Sequence, residues 1–143
     1  LRLGNTRSGA IVTLRLPFRS APAASSGLTL LVEDSEPLRA ATRDMLMDLG
    51  HTVVEATSVD EATALLADIP DITLILSDIR LEGNATGLDL LDRSAGADIP
   101  AILMTSLPVD DPLHTSALAR APVLQKPFST ARLSALIRNG PQT

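Results

Sequence analysis

From Leu28 to the C-terminus, short apolar runs alternate with segments whose apolar residues recur at helical spacing. No other feature limits the fold so tightly. The runs cover 28–32, 52–56, 72–76, 101–104 and the short 123–124. After the first, Ser35 is a natural N-cap with Pro37 in the first turn. Leu38, Met45, Leu46 and Leu49 follow at helical spacing, and Gly50 is a stop. Ser58-Val59-Asp60-Glu61 is a capping-box pattern opening a second helix, with Ala62, Leu65 and Leu66 on one face. A third helix is expected over 88–94 and a fourth over 112–120. Ser129 caps a fifth, whose inner face is Leu133, Leu136 and Ile137. Five strand–helix units predict an α/β fold with a doubly wound parallel sheet. The run Ile72-Thr73-Leu74-Ile75-Leu76 is apolar enough to sit centrally, covered on both faces.

Ahead of this pattern, in AIVTLRLPF, Ala10, Val12, Leu14 and Leu16 alternate with Ile11, Thr13 and Arg15, which predicts a strand with one apolar face. SAPAASSG, residues 20–27, has linker composition. The expected organisation is a remnant of a preceding domain over 1–19, a linker over 20–27 and one domain over 28–143. An isolated strand leaves an unpaired edge, so residues 10–18 are expected to pack on the domain or pair with a neighbouring chain. The first residue is Leu and no signal-peptide pattern follows, which suggests a piece of a longer protein.

Composition removes several function classes. A net charge of −5 argues against a nucleic-acid face. Phe18 and Phe128 are the only aromatic residues, so base-stacking platforms and aromatic cages are out of reach. The absence of cysteine rules out disulfides, thiolate metal sites and a thiol nucleophile, and fits a reducing, cytoplasmic setting.

In open α/β sheets, ligands bind beyond the carboxyl ends of the strands. There this sequence places Glu33 and Asp34 after the first run, Asp78 after the third, Thr105 and Ser106 after the fourth, and Lys126 after the fifth. Adjacent carboxylates at a strand end call for a cation. Mg²⁺, a hard ion that takes oxygen ligands and shares them with phosphate, is the expected one. A carboxylate can also act as a nucleophile and form an aspartyl-phosphate, and phosphoryl transfer mostly needs positioning and charge neutralisation. Asp78 is the best nucleophile because it ends the most apolar run. His51 after the helix-stopping glycine reads as an exposed loop residue, His114 shows no metal-ligand spacing to it, and Phe128 reads as core packing.

Four motifs, VED, LILSDI, LMTS and LQKPF, stand in order at four strand ends within about residues 28–139. Together they resemble the receiver domain of two-component response regulators. The resemblance implies a flavodoxin-like five-stranded sheet of order 2-1-3-4-5, and Mg²⁺-dependent phosphorylation of Asp78 from a phosphohistidine donor, with slow hydrolysis. It makes Glu33 and Asp34 the acidic pair, Thr105 the switch hydroxyl and Lys126 the phosphate contact. The Arg80 backbone carbonyl becomes a metal ligand beside Glu33, Asp34 and Asp78. The implied partner is a histidine-kinase phosphohistidine domain or a histidine phosphotransfer protein, with no nucleic acid and no direct membrane contact.

The sequence departs from the family pattern in three places. The acidic pair is Glu-Asp where many relatives have Asp-Asp. The loop after Asp78 reaches Gly87 nine residues on, one more than many receivers, with Glu82 where proline is frequent. Val123 stands three before Lys126, where many regulators place an aromatic ring that swings inward with the hydroxyl. The longer loop resembles receivers of hybrid histidine kinases, and SGAIVTLRLP resembles the closing strand of a histidine-kinase ATP-binding domain. Alternatives from other classes have weaker support. A receiver-like binding module that is not phosphorylated has no need of the retained charges. An aspartyl-phosphate phosphatase would want an acid two residues after Asp78, where Arg80 stands. A flavin protein would want a phosphate loop in place of Glu33 and Asp34.

Overall fold

Leu30, Val54 and Ile75 lie side by side in register on adjacent strands, and from this row the architecture is built. The computed structural model describes residues 14–15, 27–81 and 83–139. Its strands are β1 (Leu14–Arg15), β2 (Leu28–Val32), β3 (Thr52–Ala56), β4 (Ile72–Asp78), β5 (Ala101–Thr105) and β6 (Val123–Gln125). Its helices are α1 (Glu36–Asp48), α2 (Val59–Asp68), α3 (Gly87–Arg93), α4 (Pro112–Leu118) and α5 (Thr130–Asn139). The sheet order is β1-β3-β2-β4-β5-β6, with β1 antiparallel to β3 and the other pairs parallel. Counted from Leu28, the parallel strands run 2-1-3-4-5, as the resemblance implied.

Successive strand residues point to opposite faces, and the core divides accordingly. Leu30, Val32, Val54 and Ile75 pack with Ala62 and Leu65 of α2 and Leu90 of α3. Leu31, Val53, Leu74, Leu76, Ile102 and Met104 pack with Leu46 of α1 and Leu133 of α5. A smaller cluster of Ile79, Leu103 and Ala117 seats α4. Each fully buried Leu or Ile contributes roughly 1.5–3 kcal/mol over exposure. Cover on both faces therefore explains why β2 and β4 read as nearly unbroken apolar runs.

The helix ends follow their residues. Gly50 takes φ +92°, and the Gly50 and His51 amides donate to the carbonyls of Met47 and Leu46 at 3.0 Å, a Schellman stop to α1. Ser58 Oγ accepts from the Glu61 amide at 3.1 Å, but Glu61 reaches the Thr57 amide at 2.8 Å and not that of Ser58, so the box closes one residue upstream. A full capping box that the sequence reading missed, Thr86 with Asp89, opens α3.

The elements differ from expectation in modest ways. β4 runs on to Asp78, β5 to Thr105 and β6 to Gln125, while α4 stops at Leu118. His51 is a correction: it is 9% exposed, because its ring packs at the base of the sheet and its Nδ1 lies 3.0 Å from Thr29 Oγ1. Most of the strand expected over 10–18, all of the linker except Gly27, and Glu82 lie outside the described residues. Leu14 and Arg15 pair with Val54 and Val53.

Candidate functional site: an acidic cluster bridged by one lysine

β2 and β4 are central and parallel, so their C-terminal ends deliver Glu33, Asp34 and Asp78 to the same edge. Carboxylate oxygens of all three lie within 4.8 Å of one another. Glu33 is wholly buried and Asp78 is 8% exposed, whereas Asp34 faces solvent. Lys126 Nζ donates to Glu33 Oε1 at 2.8 Å and to Asp78 Oδ2 at 2.9 Å, so one ammonium bridges two carboxylates.

Buried charges need partners, and each of these has some. The Ser35 amide donates to Glu33 Oε2 at 3.2 Å. Burial alone would lower the Lys126 pKa; hydrogen bonds to Glu33 and Asp78, with their charges, outweigh it and hold the ammonium above its ordinary value. Three carboxylates against one ammonium still leave two uncompensated negative charges. An all-oxygen set with that residual charge fits a hard divalent cation.

Thr105 ends β5 and is 1% exposed; its carbonyl accepts from the Lys126 amide at 2.8 Å, which ties the hydroxyl-bearing strand to the lysine. Ser106 is exposed. Arg80 is exposed too, and its backbone bridges to Thr86, folding the loop after Asp78 back toward α3. Phe128 packs against the α1/α5 core, as expected. Val123 is half-buried beside the α4 cluster.

Sequence reasoning missed two supporting residues. A Cβ on Gly87 would lie 2.6 Å from the Asp78 carbonyl oxygen, so only glycine lets α3 start against that strand end. Arg39 donates to the Glu33 carbonyl at 3.0 Å and to Glu55 Oε1 at 3.1 Å, pinning the backbone behind the acidic pair. The glycine carried a signal in its position just before an amphipathic run. The arginine carried none, since its partners are distant in sequence.

Residues 29–138 match the response regulator receiver domain family. The chain belongs to that family. This receiver is 36% identical over 94 residues to a gliding motility regulatory protein of Myxococcus xanthus, a stretch covering 64% of this chain and 12% of that protein. It is 34% identical over 111 residues to the response regulator protein FleR of Pseudomonas aeruginosa, covering 76% of this chain and 23% of that one. The chain thus spans less than a quarter of the length of these curated relatives. Among solved structures, the signal receiver domain of a modulated diguanylate cyclase from Desulfovibrio desulfuricans G20 is similar, with a TM-score of 0.69 and 30% identity over 78% of this chain and 90% of that one. A response regulator receiver protein from Pseudomonas putida has a TM-score of 0.68 and 26% identity, covering 81% of this chain and 98% of that one. Receiver domains act in two-component signalling, where they take phosphoryl groups and interact with histidine kinases or phosphotransfer proteins. Among the described residues, no helix of this receiver is long and apolar enough to cross a membrane.

Proposed function

We propose that Asp78 accepts a phosphoryl group from a phosphohistidine, with Mg²⁺ held by Glu33, Asp34, Asp78 and the Arg80 backbone carbonyl. The observation that carries this reading is the Lys126 bridge between Glu33 and Asp78 beside the solvent-facing Asp34. Lys126 engages Asp78 through Oδ2, which fixes the carboxylate for attack. As an Asp78 oxygen bonds to phosphorus, the P–N bond breaks and its electron pair returns to the donor imidazole. That ring departs as the neutral base when its other nitrogen already carries a proton. Lys126 neutralises one phosphoryl oxygen and the Thr105 hydroxyl donates to another. The bound cation would supply charge neutralisation at the phosphoryl oxygens.

The donor is a histidine-kinase phosphohistidine domain or a separate phosphotransfer protein, in the cytoplasm. Residues 1–19 are then a remnant of a preceding domain, the ATP-binding domain of a hybrid kinase, and 20–27 form the linker; SGAIVTLRLP is the pattern behind this part of the reading.

Intact-mass measurement with acetyl phosphate tests the chemistry. One phosphoryl group should be gained with Mg²⁺, and neither without Mg²⁺ nor in Asp78→Asn. No gain by a folded, Mg²⁺-binding protein would favour a binding module that is not phosphorylated.

A further inference from the structure

Gln125 is exposed, yet both ends of its amide are engaged. Its Nε2 donates to the Leu107 carbonyl at 3.1 Å, and its Oε1 faces His114 Nε2 at 3.2 Å. Leu107 is also held from the other side, because its amide donates to Thr105 Oγ1 at 2.9 Å. One continuous path therefore leads from the Thr105 hydroxyl through Leu107 and Gln125 to His114 on α4.

The path has a fixed direction. A backbone carbonyl only accepts, so the Gln125 NH₂ must face Leu107 and its oxygen must face His114. In the neutral ring that bond places the proton on Nε2, which leaves Nδ1 an acceptor. That atom is buried and has no partner among the described residues, on a side chain only 4% exposed. A buried unpaired acceptor is costly and asks for a reason. The bond to Gln125 supplies one. α4 buries His114 and Ala117, so the contact to Gln125 falls on one of its two inward-facing side chains.

We propose that Gln125 and His114 are positioning residues that couple the Thr105 hydroxyl to α4. This deepens the proposed function, since it takes Thr105 as the hydroxyl that turns toward the phosphoryl group. Rotating that side chain must release or drag the Leu107 amide. The Leu107 carbonyl moves with it, Gln125 follows, and His114 carries the displacement into the helix. Val123 has no ring with which to transmit the same motion, so the polar path replaces an aromatic one. Gln125 is also in register with Thr105 across β5 and β6 and immediately precedes Lys126.

The test uses ¹H–¹⁵N spectra of the full chain, with Leu113, Thr115 and Ala117 amides and the His114 ring nitrogens as reporters. In the first arm no phosphodonor is added. The His114 ring should show a protonated Nε2, and Thr105→Val should displace both the ring and α4 signals. Unmoved signals, or a proton on Nδ1, would overturn the coupling whether or not the protein can be phosphorylated. In the second arm acetyl phosphate and Mg²⁺ are present and intact mass confirms one phosphoryl group. The α4 displacement seen in the wild type should fall at least threefold in Gln125→Leu and His114→Leu, and persist in His114→Gln, which keeps a donor at the Nε2 position. Equal displacement in Gln125→Leu at equal phosphorylation would overturn the proposal. Failure of the wild type to gain mass would instead sink the phosphoacceptor reading, leaving the first arm to judge the coupling in the resting protein.

Discussion

Glu33 has no exposure to solvent, and its Oε1 lies 2.8 Å from Lys126 Nζ. Removing the lysine strands a buried carboxylate beside two others. Breaking a buried pair by deleting one partner typically costs about 3–5 kcal/mol. Since Lys126 keeps 14% side-chain exposure, Lys126→Met is expected near the lower end of that range in urea unfolding without divalent ions. The pKa of Lys126 is raised by folding, so its contribution is complete below the ordinary value of 10.5 and is lost as pH climbs through the folded value. The stability gap between wild type and Lys126→Met should therefore narrow only above about pH 10.5.

Asp34 tests the opposite side of the same charge imbalance. It adds a third negative group to a cluster with a single ammonium, a repulsion that a bound cation would relieve. Asp34→Asn should stabilise the metal-free protein by about 0.5 kcal/mol or more, a trade of function for stability. The wild type should gain about 2.7 kcal/mol when Mg²⁺ reaches a hundred times its dissociation constant. Asp34→Asn should gain much less. Thermal unfolding over a Mg²⁺ series separates the two effects, and equal Mg²⁺ responses would remove Asp34 from the ligand set.

The strands and the charged residues at their ends were legible because one physical rule writes both. A sheet covered on two faces demands apolar runs, so each polar residue that interrupts them marks an end. Glu33, Asp34, Asp78, Thr105 and Lys126 were found in that way. His51 was misread because a histidine after a helix-stopping glycine looks like loop, and nothing local reveals that Thr29 meets its ring. His114 and Gln125 are polar residues on a short helix and strand; their pairing depends on how β6 lies beside the loop after β5. The capping box of α3 was readable from Thr86 and Asp89, but it follows a loop whose length obscured where the helix begins.

Gly87 sits where α3 meets the end of β4. A methyl group there would approach the Asp78 carbonyl oxygen to 2.6 Å and Leu103 Cδ2 to 3.1 Å. The first neighbour is backbone and cannot step aside without moving Asp78. Gly87→Ala should destabilise by about 1–3 kcal/mol, the usual range for overpacking. It should also slow phosphorylation of Asp78 from acetyl phosphate more than a surface change of equal stability cost would. A variant with unaltered phosphorylation rate would show that the strand end tolerates the shift.

β3 would be the edge of the sheet were it not for β1, which pairs Leu14 with Val54 and Arg15 with Val53. Removing residues 1–24 bares that edge, and unpaired edges recruit other strands. Light scattering should find concentration-dependent association in the shortened protein that the full chain lacks, together with a lower melting temperature. Identical mass and stability would mean that β1 contributes no protection.

His51 lies at the opposite end of the sheet from the acidic cluster, and burial lowers its pKa below the ordinary 6.5. A base with a depressed folded pKa is neutral in the native state, while the unfolded chain takes up a proton sooner. Its neutral form is fully compatible with folding above about pH 6.5, and stability falls as pH drops from there toward the folded pKa. The limiting slope for one proton is about 1.4 kcal/mol per pH unit. His51→Asn, whose amide can still meet Thr29, removes this titration and leaves every other group in place. Subtracting its stability curve from that of the wild type between pH 7.5 and 5, about the span over which histidine titrates, should give a difference that turns against the wild type as pH falls. A flat difference would mean that the ring takes up its proton as readily folded as unfolded.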